Sequence, residues 1–292
     1  MLRPPRMMIL EDVLKKRLKD YSYSEDYYFV SYGFLGEQQF VNTFPIASHH
    51  IELFNIVLKY YGTSFEVDRL IITGESIYAF DIKNHSGQYN IDGETWTKHF
   101  KTIKSPTTQF DVLEKGMQQI IGGTDIPHQL VCKMVFINKT FTINKDTHGV
   151  VTYHEIHPIM RAMRNELPCG DVEHRIKNYF VSLSHPNTLN YKRPQFDITD
   201  IAGGVMCMKC EGKFDMERKN SQSTECPNCG HLSKKVDLIK NALVEYELLK
   251  DTGFTHKEAH QWIGIEYRNI TNRVLKKYFD YKDGFYCYKH SL

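Results

Sequence analysis

No apolar run in this 292-residue chain approaches the roughly 20 residues needed to cross a bilayer as a helix, so a membrane-spanning segment is not expected. The start of the chain also lacks a secretory core. Arg3 and Arg6 precede only Met7, Met8, Ile9 and Leu10 before Glu11 and Asp12 interrupt. The expected location is the cytoplasm. An excess of one charge is missing too: 37 Lys and Arg against 35 Asp and Glu leave a formal +2. Any nucleic-acid surface must therefore be a local patch and not a global field. Internal repeats and low-complexity tracts are absent. What is present, 41% hydrophobic and 13% aromatic residues, is the composition of a folded protein with a sizeable core.

Cysteine is scarce, and its distribution argues against a disulfide framework. Cys132, Cys169 and Cys287 stand singly, while the other four form two Cys-x-x-Cys pairs, Cys207 with Cys210 and Cys226 with Cys229. In a reducing compartment such pairs read as metal ligands. The fifteen residues between the pairs fit zinc-ribbon spacing, each pair forming a knuckle that offers two thiolates to one tetrahedral ion. Four cysteines close the coordination sphere, so the expected Zn²⁺ is structural. A dithiol redox pair would require a surrounding βαβ pattern, which is lacking.

Punctuation along the chain predicts three units. The first, residues 1–200, holds helices near 10–20 and 30–43, strands at 51–60, 65–73 and 76–84, and short alternating pieces over 87–96. A helix over 107–121 stopped by Gly122-Gly123, a buried strand over 130–137 and two helices within 153–184 complete it. A linker near 185–204 leads to the cysteine unit at 205–233. The third unit, 236–292, reads as all-helical.

Two strands carry chemistry. Residues 65–72 and 77–83 flank Thr73-Gly74-Glu75-Ser76, read as a two-residue type II′ hairpin with Gly74 first. That register sets Asp68 opposite Asp81 and Glu66 opposite Lys83, with Lys83 and Asp81 on one face. Facing like charges are destabilising, so the pair calls for a divalent cation, and hard oxygens suit Mg²⁺ or Mn²⁺. A solvent-facing strand pair with an ordinary Glu66–Lys83 ion pair is the alternative.

The order Gly36-Glu37 in a helix, Asp68 in a strand and Asp81-Ile82-Lys83 in the next resembles the PD-(D/E)xK nuclease superfamily, and within it the NERD (nuclease-related) domain. Gly87, Trp96 and the segment Ser105-Pro106-Thr107-Thr108-Gln109 extend the likeness, which covers residues 30–140. Two positions depart from the family pattern: Asp81 stands where Glu is more frequent, and Ser105 replaces Asn. The resemblance implies a restriction-endonuclease-like α/β fold, a mixed sheet flanked by helices, with a core at about 30–140 and a helical extension at 150–184. It also implies an active-site set of Glu37, Asp68, Asp81, Lys83 and Gln109. Asp68, Asp81 and the Ile82 carbonyl would hold the metal, Glu37 would orient or add a ligand, and Lys83 would act on the water.

The tail adds a second surface. An amphipathic stretch at 240–250 precedes Thr255 and Glu258, a capping box, and Gly264 closes the helix they open. A following helix over 267–278 carries Arg268, Asn269, Thr271, Asn272, Arg273, Lys276 and Lys277 without an intervening acid. The pattern is similar to a helix-turn-helix with Ala259, Ile265, Ile270 and Leu275 as core positions, which makes DNA the expected partner. A packing bundle with a solvated charged face is the competing reading. The combined expectation is a metal-dependent DNA phosphodiesterase in DNA processing or defence. Its alternative is a non-catalytic DNA-binding protein that keeps the nuclease fold as scaffold.

Overall fold

Apolar periodicity at the start of the chain folds as helices α1 (Arg6–Arg17) and α2 (Glu25–Thr43). Three antiparallel strands follow, β1 (Ile51–Tyr60), β2 (Thr63–Ile72) and β3 (Ser76–Lys83), then the short strands β4 (Gln88–Asp92), β5 (Thr95–Lys98) and β6 (Lys101–Ile103). Helix α3 (Pro106–Gly122) begins with proline at its first turn, where the missing N–H costs nothing. It crosses to β7 (Gln129–Phe136), parallel to β3. Strands β8 (Thr142–Ile143) and β9 (Val150–Thr152) and helices α4 (Ile156–Arg164) and α5 (Asp171–Leu183) complete this part. The computed structural model describes residues 2–185, 192–210, 212–214, 221–264 and 267–289.

The main sheet has the order β1-β2-β3-β7-β9, antiparallel on one side and parallel on the other. Its central strand β3 is buried on both faces, which explains a run too uniformly apolar to alternate. Phe40 and Phe44 from the α2 side, with Met160 and Met163 of α4, cover Ile71, Tyr78 and Phe80. Phe110 and Met117 of α3 and Phe180 of α5 cover Leu70, Ile72, Ile77 and Ala79 on the opposite face. This is the mixed α/β arrangement expected. The strands β8 and β9 are two and three residues long, too short for a period to register, and were not foreseen.

The β2–β3 turn departs from type II′. Gly74 does not take the left-handed φ that this turn needs. Its role is spatial: a Cβ there would lie 2.8 Å from Leu167 Cβ and 2.8 Å from the Pro168 carbonyl oxygen. Next to the turn the expected register holds, from Ile72 opposite Ile77 to Arg69 opposite Phe80, but the pairing ends there. The expected oppositions of Asp68 with Asp81 and of Glu66 with Lys83 do not form, and Lys83 pairs with Asp81.

The division into compact units differs from the expected boundaries. Phe29–Tyr191 belongs to one unit, and Pro4–Tyr28 joins Lys192–Leu292 in the other, so α1 leaves the N-terminal domain in which its sequence position had placed it. The reason is burial. Leu10, Val13 and Leu14 of α1 share one core with helix α6 (Lys235–Lys250), helix α7 (His256–Ile263) and helix α8 (Arg268–Tyr278). Each such side chain contributes about 1.5–3 kcal/mol on leaving water. Arg17, fully buried in its side chain, is held by Glu245 and by the carbonyls of Ala202 and Gly204 at 2.9 and 3.1 Å.

The cysteine segment is not a separate unit either. Val205, Cys207, Phe214 and Cys226 enter the same core, beside the hairpin of β10 (Ser223–Glu225) and β11 (Leu232–Lys234). After the last of the tail's helices comes an unexpected antiparallel hairpin, β12 (Phe279–Lys282) and β13 (Phe285–Tyr288), so the tail is not all-helical. Ile265, expected in the tail's core, lies outside the described residues.

Candidate active site

The site begins with a break in two neighbouring strands. Phe65 and Val67 face the same core as Leu70 and Ile72, so the alternation of β2 skips a residue between them. In β1 the partners Phe54↔Arg69 and Ile56↔Val67 are recorded, and the intervening opposition of Asn55 and Asp68 is not. Asn55 stands at φ +49°, a left-handed conformation that asparagine tolerates better than other residues. The β2–β3 ladder also ends at Arg69↔Phe80. Where the next pair would form, the Ile82 N–H donates to Asp68 Oδ2 at 2.5 Å. Asp68 therefore replaces a ladder bond with its own carboxylate, a change that uninterrupted alternation does not anticipate.

Five expected residues meet around this break. Asp81, 2% exposed, faces Lys83, whose Nζ lies 2.7 Å from Asp81 Oδ1. Lys83 Nζ also donates to Gln109 Oε1 at 3.0 Å, which brings the first turn of α3 to the end of β3. Glu37 arrives from α2, and its Oε2 accepts from Asn55 Nδ2 at 3.0 Å. Gly36 makes that approach possible, because a Cβ there would sit 2.7 Å from Asn84 Cβ. Asn84 in turn donates to the Tyr32 carbonyl of α2 at 2.9 Å. Ile82 contributes its backbone to the site while its side chain joins the core on the α2 side.

Asn55 and Asn84 hold the site together and were missed from sequence. The available signal was Asn55 itself, a polar turn-former inside an otherwise apolar strand.

The electrostatics are dominated by carboxylates. Burial, the charge of Asp81 and then that of Glu37 push Asp68 well above the usual carboxylate range. Glu37 is raised by burial against the opposing pull of Asn55 and Lys83. Glu66 reaches about 7, from burial and the charge of Glu37. Burial would lower the Lys83 ammonium, but the charges of Asp81 and Asp68 outweigh it and the net shift is upward. Lys83 is thus a fixed cation and not a base at neutral pH.

One positive charge does not balance this set, and Asp81 Oδ2 is buried with no hydrogen-bond partner among the described residues. Hard oxygens with an orphaned carboxylate atom suit a small divalent cation such as Mg²⁺ or Mn²⁺. The carboxylates do not form a closed set: among the described residues only the cysteine group brings three or more His, Cys, Asp or Glu ligand atoms within 4.8 Å of one another.

That group is Cys207, Cys210, Cys226 and Cys229. Zn–S bonds of about 2.3 Å place tetrahedral sulfurs about 3.8 Å apart. Cys207 and Cys229 Sγ lie 3.8 Å apart, and Cys210 and Cys226 Sγ 3.5 Å. The Lys209 N–H donates to Cys207 Sγ at 3.3 Å, and Cys226 N–H bonds the His231 carbonyl at 3.0 Å, closing each knuckle on its backbone. Of the three single cysteines, Cys132 is buried, Cys287 is exposed, and the Cys169 thiol donates to the Ile72 carbonyl at 3.0 Å.

On α8, Arg268, Asn269, Asn272, Arg273, Lys276 and Lys277 are all exposed, while Thr271, Val274 and Leu275 turn inward. Thr271, expected among the polar outer residues, belongs to the buried face. Asn272 Oδ1 is engaged by His256 and His260 of α7, so only its amide NH₂ remains for an outside partner.

Residues 32–138 match the family model described as NERD, nuclease-related domain. The chain carries a nuclease-related domain over that stretch, just over a third of its length. No curated protein and no solved structure matches the chain.

Two outcomes follow from these arrangements. Carboxylates whose folded pKa is raised bind more protons when folded than when unfolded, so between their unfolded values near 4–4.5 and about 7 stability falls as pH rises. With divalent cations withheld, Asp68→Asn should therefore be more stable than the parent at pH 7–8 and lose that advantage towards pH 4, as read by thermal melts across pH. For the cysteines, elemental analysis should find about one zinc per chain, and Cys226→Ser should loosen the α6–α8 core together with the knuckles. Zinc-free protein with that core intact to proteolysis would refute the second expectation.

Proposed function

We propose that the nuclease-related domain is a metal-dependent DNA phosphodiesterase, with Asp68, Asp81 and the Ile82 carbonyl holding Mg²⁺ or Mn²⁺. The observation that carries this reading is the gathering of Glu37, Asp68 and Gln109, from α2, β2 and α3, around the Asp81–Lys83 pair of β3, in which Asp81 Oδ2 is buried without a partner among the described residues. A scaffold has no need of four carboxylates around one lysine, because each like-charge neighbour and each desolvated charge costs stability. When bound, the ion supplies Lewis acidity at the scissile phosphate and acidifies the water it holds.

The chain's own residues do the rest. Lys83, pinned between Asp81 and Gln109, presents a fixed positive charge to the negative charge that develops on the phosphate oxygens. Glu37, aimed by Asn55, orients the attacking water. Burial keeps Glu37 and Glu66 more basic than ordinary carboxylates, so either can accept the proton released on attack. Gln109 fixes the Lys83 ammonium and acts through it. The cysteine unit holds a structural Zn²⁺, and α8 meets DNA with Arg273, Lys276 and Lys277 on phosphates and with Arg268, Asn269 and the Asn272 amide towards base edges.

Cleavage of linear, circular and single-stranded DNA with Mg²⁺ or Mn²⁺ tests the reading. Asp81→Asn should abolish cleavage, and Lys83→Ala should keep metal binding while losing at least about a hundredfold in rate. Parental activity in both variants, or no cleavage by folded protein with either metal, would leave the scaffold role instead. For the tail, replacing Arg273, Lys276 and Lys277 together by alanine should weaken DNA binding on every sequence. The slope of log K against log salt should fall by about 2–3, and an unchanged slope would point to a packing role for α8.

A further inference from the structure

His256 and His260 stand four residues apart on α7, so both imidazoles leave the same helix face. Asn272 of α8 reaches the same point. His256 Nε2 lies 2.8 Å from Asn272 Oδ1, His260 Nε2 lies 3.0 Å from it, and the two nitrogens are 3.2 Å apart. Hydrogen bonds cannot satisfy all three contacts. The amide oxygen only accepts, and each ring nitrogen carries at most one hydrogen, which points in the ring plane towards one acceptor. If both hydrogens point at Asn272, the nitrogens meet donor to donor. If one ring donates to the other, a contact to the oxygen is lost.

A cation drawing on three lone pairs satisfies the whole triangle. Metal–nitrogen bonds of about 2.0–2.1 Å put neighbouring ligands about 2.8–3.0 Å apart in octahedral and about 3.3–3.4 Å apart in tetrahedral geometry, a span that holds the three distances here. We infer that His256, His260 and Asn272 form a second transition-metal site, for an imidazole-preferring cation of the Zn²⁺, Ni²⁺ or Co²⁺ class, completed by water. Two imidazoles select these ions over Mg²⁺ and Ca²⁺. His256 is exposed and leaves room for entry and for water, while buried His260 is fixed by its packing.

The surroundings set the affinity. The charge of Arg268 acts on His260, as does that of His256 when protonated, and no carboxylate is among the three ligands. His260 Nδ1, which carries the proton when Nε2 is a ligand, is buried without a partner among the described residues, so the supporting bond that usually orients a ligating histidine is lacking. The site is therefore an exchangeable one, weaker than four thiolates. Its ligands come from two helices, so occupancy ties α7 to α8 and restrains the helix proposed to read DNA. The assignment does not depend on the nuclease reading.

The test uses tag-free, full-length protein with the cysteine site zinc-loaded and with Asp81→Asn to silence the carboxylate site. Calorimetric titration with Ni²⁺ should find one further ion per chain. His256→Ala, at an exposed position, should weaken that binding at least tenfold with the far-ultraviolet spectrum and the cysteine-bound zinc unchanged. Asn272→Asp, which replaces the amide oxygen with a carboxylate, should tighten it about tenfold, a gain that a hydrogen-bonding role for Asn272 does not produce. The inference is overturned if no Ni²⁺ is taken up, if His256→Ala binds it like the parent, or if Asn272→Asp binds it no more tightly.

Discussion

Like charge gathered out of water is the constraint around which the nuclease-related domain is arranged. Glu37, Glu66, Asp68 and Asp81 all act on the single ammonium of Lys83, and the net shift of Lys83 is upward despite its burial. A carboxylate or ammonium moved from water to a protein interior costs several kcal/mol even after relaxation. The sheet must be stable enough elsewhere to carry that cost. Its central strand supplies the means: β3 is covered on both faces by aromatic and aliphatic side chains from four helices.

The same charges sit where the sheet opens. Asn55 turns left-handed, Asp68 spends its carboxylate on the Ile82 N–H, the β1–β2 ladder skips that pair before resuming, and the β2–β3 ladder ends there. A regular sheet would have left no room, because its backbone groups would be paired and its side chains would stand on alternate faces. The opening lets a helix on each side contribute: Glu37 comes in over Gly36 and Asn84, and Gln109 comes from the first turn of α3. Each of these side chains is oriented by a neighbour, which is the preorganisation that positioning for chemistry demands.

In the other unit the cysteine knuckles and the helices share one interior. So short a knuckle segment cannot bury enough apolar surface to fold alone, and here it lends Val205, Phe214 and two of its cysteines to a core that α1 and α6–α8 complete. Arg17 caps that arrangement, pairing with Glu245 and lying 4.9 Å over the Trp262 ring. An ion between the thiolates would therefore stabilise the helical part as well as the knuckles.

Local spacing alone determined the order of the main elements, the β2–β3 register next to the turn, the cysteine set and, Thr271 apart, the outward face of α8. Each depends on residues near one another in the chain: strand alternation, a four-residue turn, two Cys-x-x-Cys pairs, and helical periodicity from Arg268 to Lys277. The family resemblance gave Glu37 and Gln109, which no spacing argument could have joined to Asp81 across more than twenty residues on either side. Only the tertiary structure decided that β1 and β2 break at Asn55 and Asp68, that Gly74 is needed for Leu167 and not for its turn, and that α1 belongs with the C-terminal core. Each of those outcomes depends on partners distant in sequence, and a hydrophobic period says which face is buried but not against what.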